Sequence, residues 1–271
     1  MFTQTTKVNS LNATSKQEDD VVADEEPLEI RLGYVDGQQG RVHKSIAITM
    51  RSPGMDIELS LGFLFSENII QSASQVMDID TNKDNLIRIE LADELRFDIK
   101  RLERHFYTTS SCGVCGKASL EALSLAGAET LNTNQFQISA RHIATLGKNL
   151  RVKQNLFHST GGTHACGRFD KLGVVLNVAE DIGRHNAMDK LIGRQLMLKE
   201  LPMINNGLIV SGRASFELMQ KALMAQCPIL VSVGAPSSLA VELAQEFNLT
   251  LVGFLTDESF NIYHDDERII I

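Results

Sequence analysis

The stretch from residue 207 to 254 constrains the fold more than any other part of the chain. Three short apolar runs, 207–210, 228–233 and 249–254, alternate with two segments whose apolar residues recur at helical spacing, ending at Gln226 and Phe247. Short strands joined by helices run parallel, with crossovers of one hand, so this third predicts a βαβαβ unit of an α/β domain. In open α/β sheets, ligands bind where strands end and helices begin. Here those turns read Ser211-Gly212-Arg213-Ala214-Ser215 and Gly234-Ala235-Pro236-Ser237-Ser238. Backbone N–H groups at helix starts suit phosphate, and Arg213 adds a permanent charge that can fork onto it. An ordinary βα turn needs Gly and Ser for geometry alone, and spacing does not separate the two readings. Residues 260–263 and 268–271 predict short terminal strands.

Upstream, 28–35 and 42–50 read as strands joined by a hairpin turn at 36–40. Arg51-Ser52-Pro53-Gly54 is a second turn, after which Asp56 is expected to cap a helix reaching Ser66. Residues 75–80 and 86–91 read as further strands. These elements predict a small α+β lobe over 26–106, followed by a larger α/β domain over 107–271. The latter adds a helix near 117–126, one starting at Ser139 and running toward Asn155, a polar Gly-rich turn over 158–166, a strand over 173–178 and a helix over 185–198. Residues 1–25 are rich in Thr, Asn, Ser, Gln and acids without periodicity, and are expected to be a disordered acidic tail.

The formal charge of −8 is uneven. Residues 1–30 contribute −5, leaving −3 for the rest, with no clustered Lys/Arg. Binding to nucleic acid, which needs such clusters, is not expected. No apolar stretch is long enough to span a membrane, and no leader pattern opens the chain, so a cytoplasmic protein is expected.

Four cysteines, Cys112, Cys115, Cys166 and Cys227, are too few for a disulfide-stapled fold. Cys112 and Cys115 sit in Ser110-Ser111-Cys112-Gly113-Val114-Cys115-Gly116-Lys117, before a helix-like run, where N–H groups and the helix dipole favour a thiolate. A reactive pair, a metal site and an inert pair are all compatible with this spacing. Structural zinc would want a second Cys/His pair, and His164 and Cys166, one residue apart, are poorly placed to supply it. A deaminase-type zinc site needs His-x-Glu and Pro-Cys-x-x-Cys, and neither occurs. These absences weigh against zinc without excluding it. Cys166 and Cys227 lie among apolar residues and are expected to be buried. His164 and His185 sit in polar surroundings, and Glu180, Asp181, Arg184, His185, Asn186 and Asp189 are more polar groups than a helix cap requires.

Taken in order, Leu-Gly-Phe-Leu-Phe-Ser-Glu-Asn-Ile-Ile (61–70), Ser-Cys-Gly-Val-Cys-Gly (111–116), Thr-Gly-Gly-Thr-His-Ala (160–165), Glu-Asp-Ile-Gly-Arg-His-Asn-Ala-Met-Asp-Lys (180–190) and the two turns above form a set. From about residue 26 to the end, this set resembles the formate dehydrogenase accessory sulfurtransferase family, the FdhD proteins. The resemblance implies a cytidine-deaminase-like α/β sandwich without the deaminase zinc, and a homodimer. It implies sulfur taken from a cysteine desulfurase as a persulfide on Cys112, with Cys115 assisting transfer or resolving the persulfide. It also implies delivery to the molybdenum (or tungsten) bis-guanine-dinucleotide cofactor of formate dehydrogenase. The family's Gly-Phe segment maps onto Phe254, Leu255, Thr256, Asp257, Glu258 and Ser259 as cofactor-binding residues, joined by Ser211, Gly212, Arg213 and His185. Many members carry Arg shortly after that Gly-Phe, where this chain has Asp257 and Glu258. A zinc-dependent deaminase-like hydrolase and a non-catalytic cofactor-binding chaperone are the alternatives.

Overall fold

The computed structural model describes residues 1–10, 12–37, 40–95, 128–131 and 136–271. The predicted 117–126 helix, the boundary at 106/107, and Cys112 and Cys115 with their loop lie outside the described residues.

The centre is a six-stranded sheet in the order β13 (Asn261–His264), β12 (Thr250–Gly253), β11 (Ile229–Ser232), β10 (Gly207–Val210), β8 (His164–Phe169), β9 (Val175–Asp181). Strands β10, β11 and β12 are parallel, as their alternation with helices predicts, and β8 and β13 run antiparallel on either side. The strands are apolar on both faces because both faces are covered. Leu208, Val210, Leu230 and Leu251 join one core cluster with helices α4 (Arg184–Met197), α5 (Phe216–Met224) and α6 (Ser238–Glu246). Ile209, Ile229, Val231 and Val252 point the other way, toward Ile143, Leu146 and Leu150 of α2 (Ala140–Val152). The period-2 alternation of a strand thus divides the core in two, and the expected α/β sandwich is present.

The first half adds a four-stranded sheet ordered β4 (Gly40–Arg51), β3 (Glu26–Asp36), β6 (Leu86–Leu91), β5 (Val76–Lys83), with α1 (Asp56–Ser66) in contact with β6 and α4. Its inner residues, among them Leu28, Ile30, Leu32 and Ile89, belong to the same cluster as α4–α6. Two short strands, β7 (Ile138–Ser139) and β14 (Ile269–Ile270), pair in parallel and tie the C-terminal end to the start of α2.

Three local expectations change. The tail is a hairpin: β1 (Phe2–Asn9) pairs antiparallel with β2 (Thr14–Val21), the pairing satisfying the backbone while almost every side chain stays exposed. Asp56 does not cap α1. Met55, in the left-handed region at φ 57°, holds that position, because the Asp56 carboxylate is forked onto buried Arg51 at 2.9 Å from both Nε and Nη2. The polar 158–166 stretch is not one turn: Asn155–Thr160 forms a short helix, α3, ended by Gly161 at φ 66°, and His164 already belongs to β8. Ser139 does cap α2, accepting a hydrogen bond from the His142 N–H.

Candidate functional site

The C-terminal ends of β10, β11 and β12 are bound into one surface. The Gly234 N–H donates to the Gly212 carbonyl at 3.0 Å, and the Ser237 N–H to Ala214. Ser232 Oγ sits between the Gly212 and Gly234 carbonyls at 2.9 and 2.8 Å, and the Phe254 N–H donates to Gly234. A Cβ on Gly234 would lie 3.0 Å from the Arg213 backbone, so only glycine lets the two turns approach this closely. The sequence-predicted turns and the start of the 254–259 segment therefore meet, although 22 and 19 residues of chain intervene between Ser211, Gly234 and Phe254.

Not every residue there is free to bind. Ser211 Oγ accepts from the Ala165 N–H at 2.9 Å and lies 3.4 Å from His164 Nδ1, so it locks the turn to β8. Gly212 packs on His164 and Arg184. Ser215 makes no side-chain cap on α5; its hydroxyl faces His185 Nε2 at 3.3 Å. Ser237, in contrast, caps α6 through the Ala240 N–H. The start of α5, beside exposed Arg213, has no serine cap, and the Glu217 carboxylate takes one of its backbone donors, leaving the others for an anion. Glu217, in the first turn of α5, lies 3.7 Å from His185 Nε2, an ion-pair distance rather than a hydrogen bond. His185, aided by Ser215 and a backbone N–H, holds its carboxyl down at about 2 against the burial that raises it. Burial, and then the charges of Arg184 and His185, push the His164 imidazole below its ordinary value.

In the 254–259 segment Phe254 takes a left-handed φ of 53° and stays half exposed. Leu255 turns inward and is 4% exposed in the α2-side core, so its side chain packs rather than presents. Thr256 and Ser259 close a tight turn on each other, and Asp257 and Glu258 point to solvent.

The dense polar cluster of 180–190 mostly looks inward. Asp181 pairs with Lys190 at 2.7 Å, both nearly fully buried, and accepts the Ser52 N–H. Asp189 pairs with Lys221 at 2.7 Å and accepts from Ser66 Oγ. Asn186 donates to the Met50 carbonyl. These groups bind the two halves of the molecule together. Glu180 holds the start of α3, accepting from the Leu156 and Phe157 N–H groups and from Thr163 Oγ1. Only Arg184 and His185 of this motif remain toward the site.

A cleft of about 310 Å³ opens beside this surface, lined by Arg151, Gln154, Phe157, Thr163, His164 and Ser211, with glycines 161 and 162 completing the wall. Arg151 stacks over the Phe157 ring at 4.1 Å. Sequence reasoning missed Arg151, Gln154 and Phe157, since nothing in their spacing marks them; the Gly-rich 160–165 motif was the one pointer to this wall. A larger hollow of about 600 Å³ sits at the tip of the β1–β2 hairpin and holds none of the chemistry-bearing residues. Among the described residues, no group of three or more His, Cys, Asp or Glu is arranged to hold a metal. Cys166 and Cys227 are 0% exposed; burial pushes both thiols up, that of Cys227 to about 12.

Comparison with known proteins places this geometry. A protein from Streptomyces avermitilis named "Sulfur carrier protein FdhD" is 45% identical over 269 residues, covering 96% of this chain and 92% of that protein. One of the same name from the archaeon Sulfurisphaera tokodaii is 42% identical over 259 residues, covering 96% and 95%. A solved structure from Desulfotalea psychrophila, described as a candidate formate dehydrogenase accessory protein, superposes with a TM-score of 0.75 over 100% of this chain and 99% of that one; at 23% identity it speaks for the fold alone. The model of the FdhD/NarQ family matches residues 23–270. The chain belongs to the FdhD/NarQ family.

Proposed function

We propose that this protein is a sulfur carrier that serves formate dehydrogenase, taking sulfur from a cysteine desulfurase on Cys112 and delivering it to the molybdenum bis-guanine-dinucleotide cofactor as acceptor substrate. Relatives above 40% identity over nearly the whole chain carry the sulfur-carrier name. The observation that carries the assignment of the cysteine is elimination. Of four cysteines, Cys166 and Cys227 are sealed in the core with raised thiol pKa values, and a thiol that cannot ionise or meet a partner protein cannot accept sulfur. Cys112 and Cys115 remain.

The chemistry balances on those two residues. The Cys112 thiolate attacks the outer sulfur of the donor persulfide. That S–S bond breaks, the donor thiolate leaves, and Cys112 holds the persulfide. Attack by the Cys115 thiolate on the inner sulfur then closes a Cys112–Cys115 disulfide and expels the outer sulfur as hydrosulfide. The cysteine pair supplies the two electrons, and a thiol reductant resets it. The acceptor's diphosphates suit the start of α5 and Arg213, with Ser211 and Gly212 shaping the turn and His185 beside it. Phe254 offers an exposed ring to a guanine, and Thr256, Asp257, Glu258 and Ser259 a polar rim in which a carboxylate can accept from guanine N–H groups; Leu255 anchors the segment from below. The carrier works in the cytoplasm as a homodimer.

Intact-mass measurement after incubation with a cysteine desulfurase and cysteine tests the reading. One added sulfur is expected on Cys115→Ala and none on Cys112→Ala, with wild type carrying either the added sulfur or the Cys112–Cys115 disulfide that its release leaves. A Cys115→Ala protein that gains no sulfur, or a wild type that holds stoichiometric zinc through Cys112 and Cys115, sinks it in favour of a cofactor-holding or hydrolytic role.

A further inference from the structure

We propose that the outward face of α2, together with the β8–β9 turn, is the docking surface for the protein that donates sulfur, and that it receives a carboxylate-rich patch of that partner. The first observation is charge. In a chain of net charge −8, residues 131–169 hold no Asp or Glu and carry Arg141, Lys148, Arg151, Lys153 and Arg168. Spread along the sequence these cations form no cluster, but the helix gathers them. Arg141, Thr145, Lys148 and Val152 follow at i, i+4, i+7 and i+11, one exposed stripe opposite buried Ile143, Leu146 and Leu150. Lys153 ends the helix and Lys171 sits in the turn, both exposed. Arg168 sits on Glu200, whereas Arg141, Lys148, Lys153 and Lys171 form no ion pair with any described residue.

A charged helix face is ordinarily solvated and serves the helix itself. This one does not. No carboxylate stands four residues from Arg141 or Lys148 to pair with it, and Arg141 places a cation in the first turn, where the helix dipole disfavours one. The second observation is apolar exposure on the same surface. Val152 is 69% exposed, and Leu172 and Val174, in the β8–β9 turn, are 60% and 50% exposed. That turn is fixed to α2: Asn149 Nδ2 donates to the Gly173 carbonyl at 3.0 Å, and a Cβ on Gly173 would lie 3.0 Å from His142. Its one acid, Asp170, is spent on the Leu172 and Val174 N–H groups. Apolar side chains rimmed by unpaired cations have the make-up of a protein–protein contact, and no aromatic ring on the stripe offers a base a place to stack. The place of the patch selects the partner. Phe169 pairs with Gly207 at the start of β10, and the Ser211–Ser215 turn follows its end, so the β8–β9 turn lies at the opposite end of the sheet from the acceptor turns. A protein docked here leaves the acceptor's end open, as the donor of a carrier with two partners must. That choice rests on the carrier reading above; the basic face does not.

The test follows the rate at which Cys112 gains sulfur, by intact mass, in the full-length Cys115→Ala protein, which retains it. One source is the organism's own cysteine desulfurase with cysteine. The other is inorganic polysulfide, which needs no docking: the Cys112 thiolate attacks a terminal sulfur, an S–S bond breaks and the shortened polysulfide leaves. Arg141→Glu with Lys148→Glu is expected to slow desulfurase-driven loading roughly tenfold or more at low ionic strength, the scale of electrostatic steering, and to leave polysulfide loading unchanged. Added salt should slow loading through the native face and hardly affect the variant. Lys16→Glu with Lys83→Glu, exposed elsewhere, makes the same change of net charge and is expected to lose far less. Equal polysulfide rates and melting temperatures show that the variants fold; should the α2 pair fail to, Lys148→Glu alone replaces it. Desulfurase-driven loading indifferent to the α2 pair overturns the proposal, and phosphatidylglycerol vesicles or a single-stranded oligonucleotide bound by this face would then name its occupant. An equal loss in both pairs, or a change of oligomeric state in the α2 pair, also overturns it. A protein with its native face that polysulfide loads and the desulfurase does not loses both this proposal and the carrier reading; one that the desulfurase loads equally well with and without the α2 pair loses only the face.

Discussion

Asp189 and Lys221 meet in the interior, 5% and 7% exposed at their side chains, with Ser66 as the remaining donor. Removing one partner of such a pair leaves an uncompensated charge and costs about 3–5 kcal/mol. Lys221→Met is expected to lower the urea-unfolding free energy by that amount, and adding Asp189→Asn to restore part of it; a single variant as stable as wild type would show the pair to be dispensable. His164 gives a pH dependence. Its folded pKa is depressed below its unfolded value, because burial and the Arg184 and His185 charges disfavour the cation. The folded state therefore binds fewer protons, and the contribution is present above the unfolded value near 6.5 and lost as pH falls below it toward the folded pKa. Unfolding free energy measured from pH 7 to 5 should fall less steeply for His164→Gln; identical slopes would remove His164 from the account.

At the scale of elements, α1 and α4 cross with their backbones in close contact. A Cβ on Gly62 would lie 1.9 Å from the Asp189 carbonyl oxygen, and one on Gly193 1.9 Å from that of Glu58. The two helices touch backbone to backbone, each through a glycine of the other. Gly62→Ala forces them apart and is expected to cost about 1–3 kcal/mol or more. Gly147 in α2 is the contrast: a Cβ there would rest 3.6 Å from Leu255 Cδ2, an ordinary contact. Gly147→Ala is expected to stabilise by about 0.5–1 kcal/mol, the helical penalty of glycine. Denaturation midpoints moving in opposite directions check both; shifts of the same sign would contradict the crossing geometry.

For the whole molecule, the four-stranded sheet and the helical side of the six-stranded sheet share one core cluster, whereas the hairpin of residues 2–21 shares none. An isolated two-stranded hairpin adds little stability in water. Deleting residues 1–22 is expected to leave the unfolding midpoint and its denaturant slope unchanged, and a marked loss of either would mean that the hairpin packs on the rest. The family match beginning at residue 23 agrees with this division.

The sequence by itself determined the parallel β10–β11–β12 core, the strands of the first sheet and the helix starting after Ser139, because a period of two or 3.6 residues and a capping serine are local signals. It also marked Ser211–Ser215 and the turn at Gly234, without separating an anion site from an ordinary βα turn. What only the tertiary structure decided concerns groups whose partners are distant in the chain. Asp56 reads as a cap until Arg51 claims its carboxylate. Asp181 and Asp189 read as part of a cluster too polar for a helix cap until Lys190 and Lys221 pair with them in the interior. Leu255 reads as part of a binding segment until the core takes its side chain. Gln154 and Arg151 carry no local pattern at all; a cleft is made by whichever elements leave space between them, and no spacing along one strand of chain records that space.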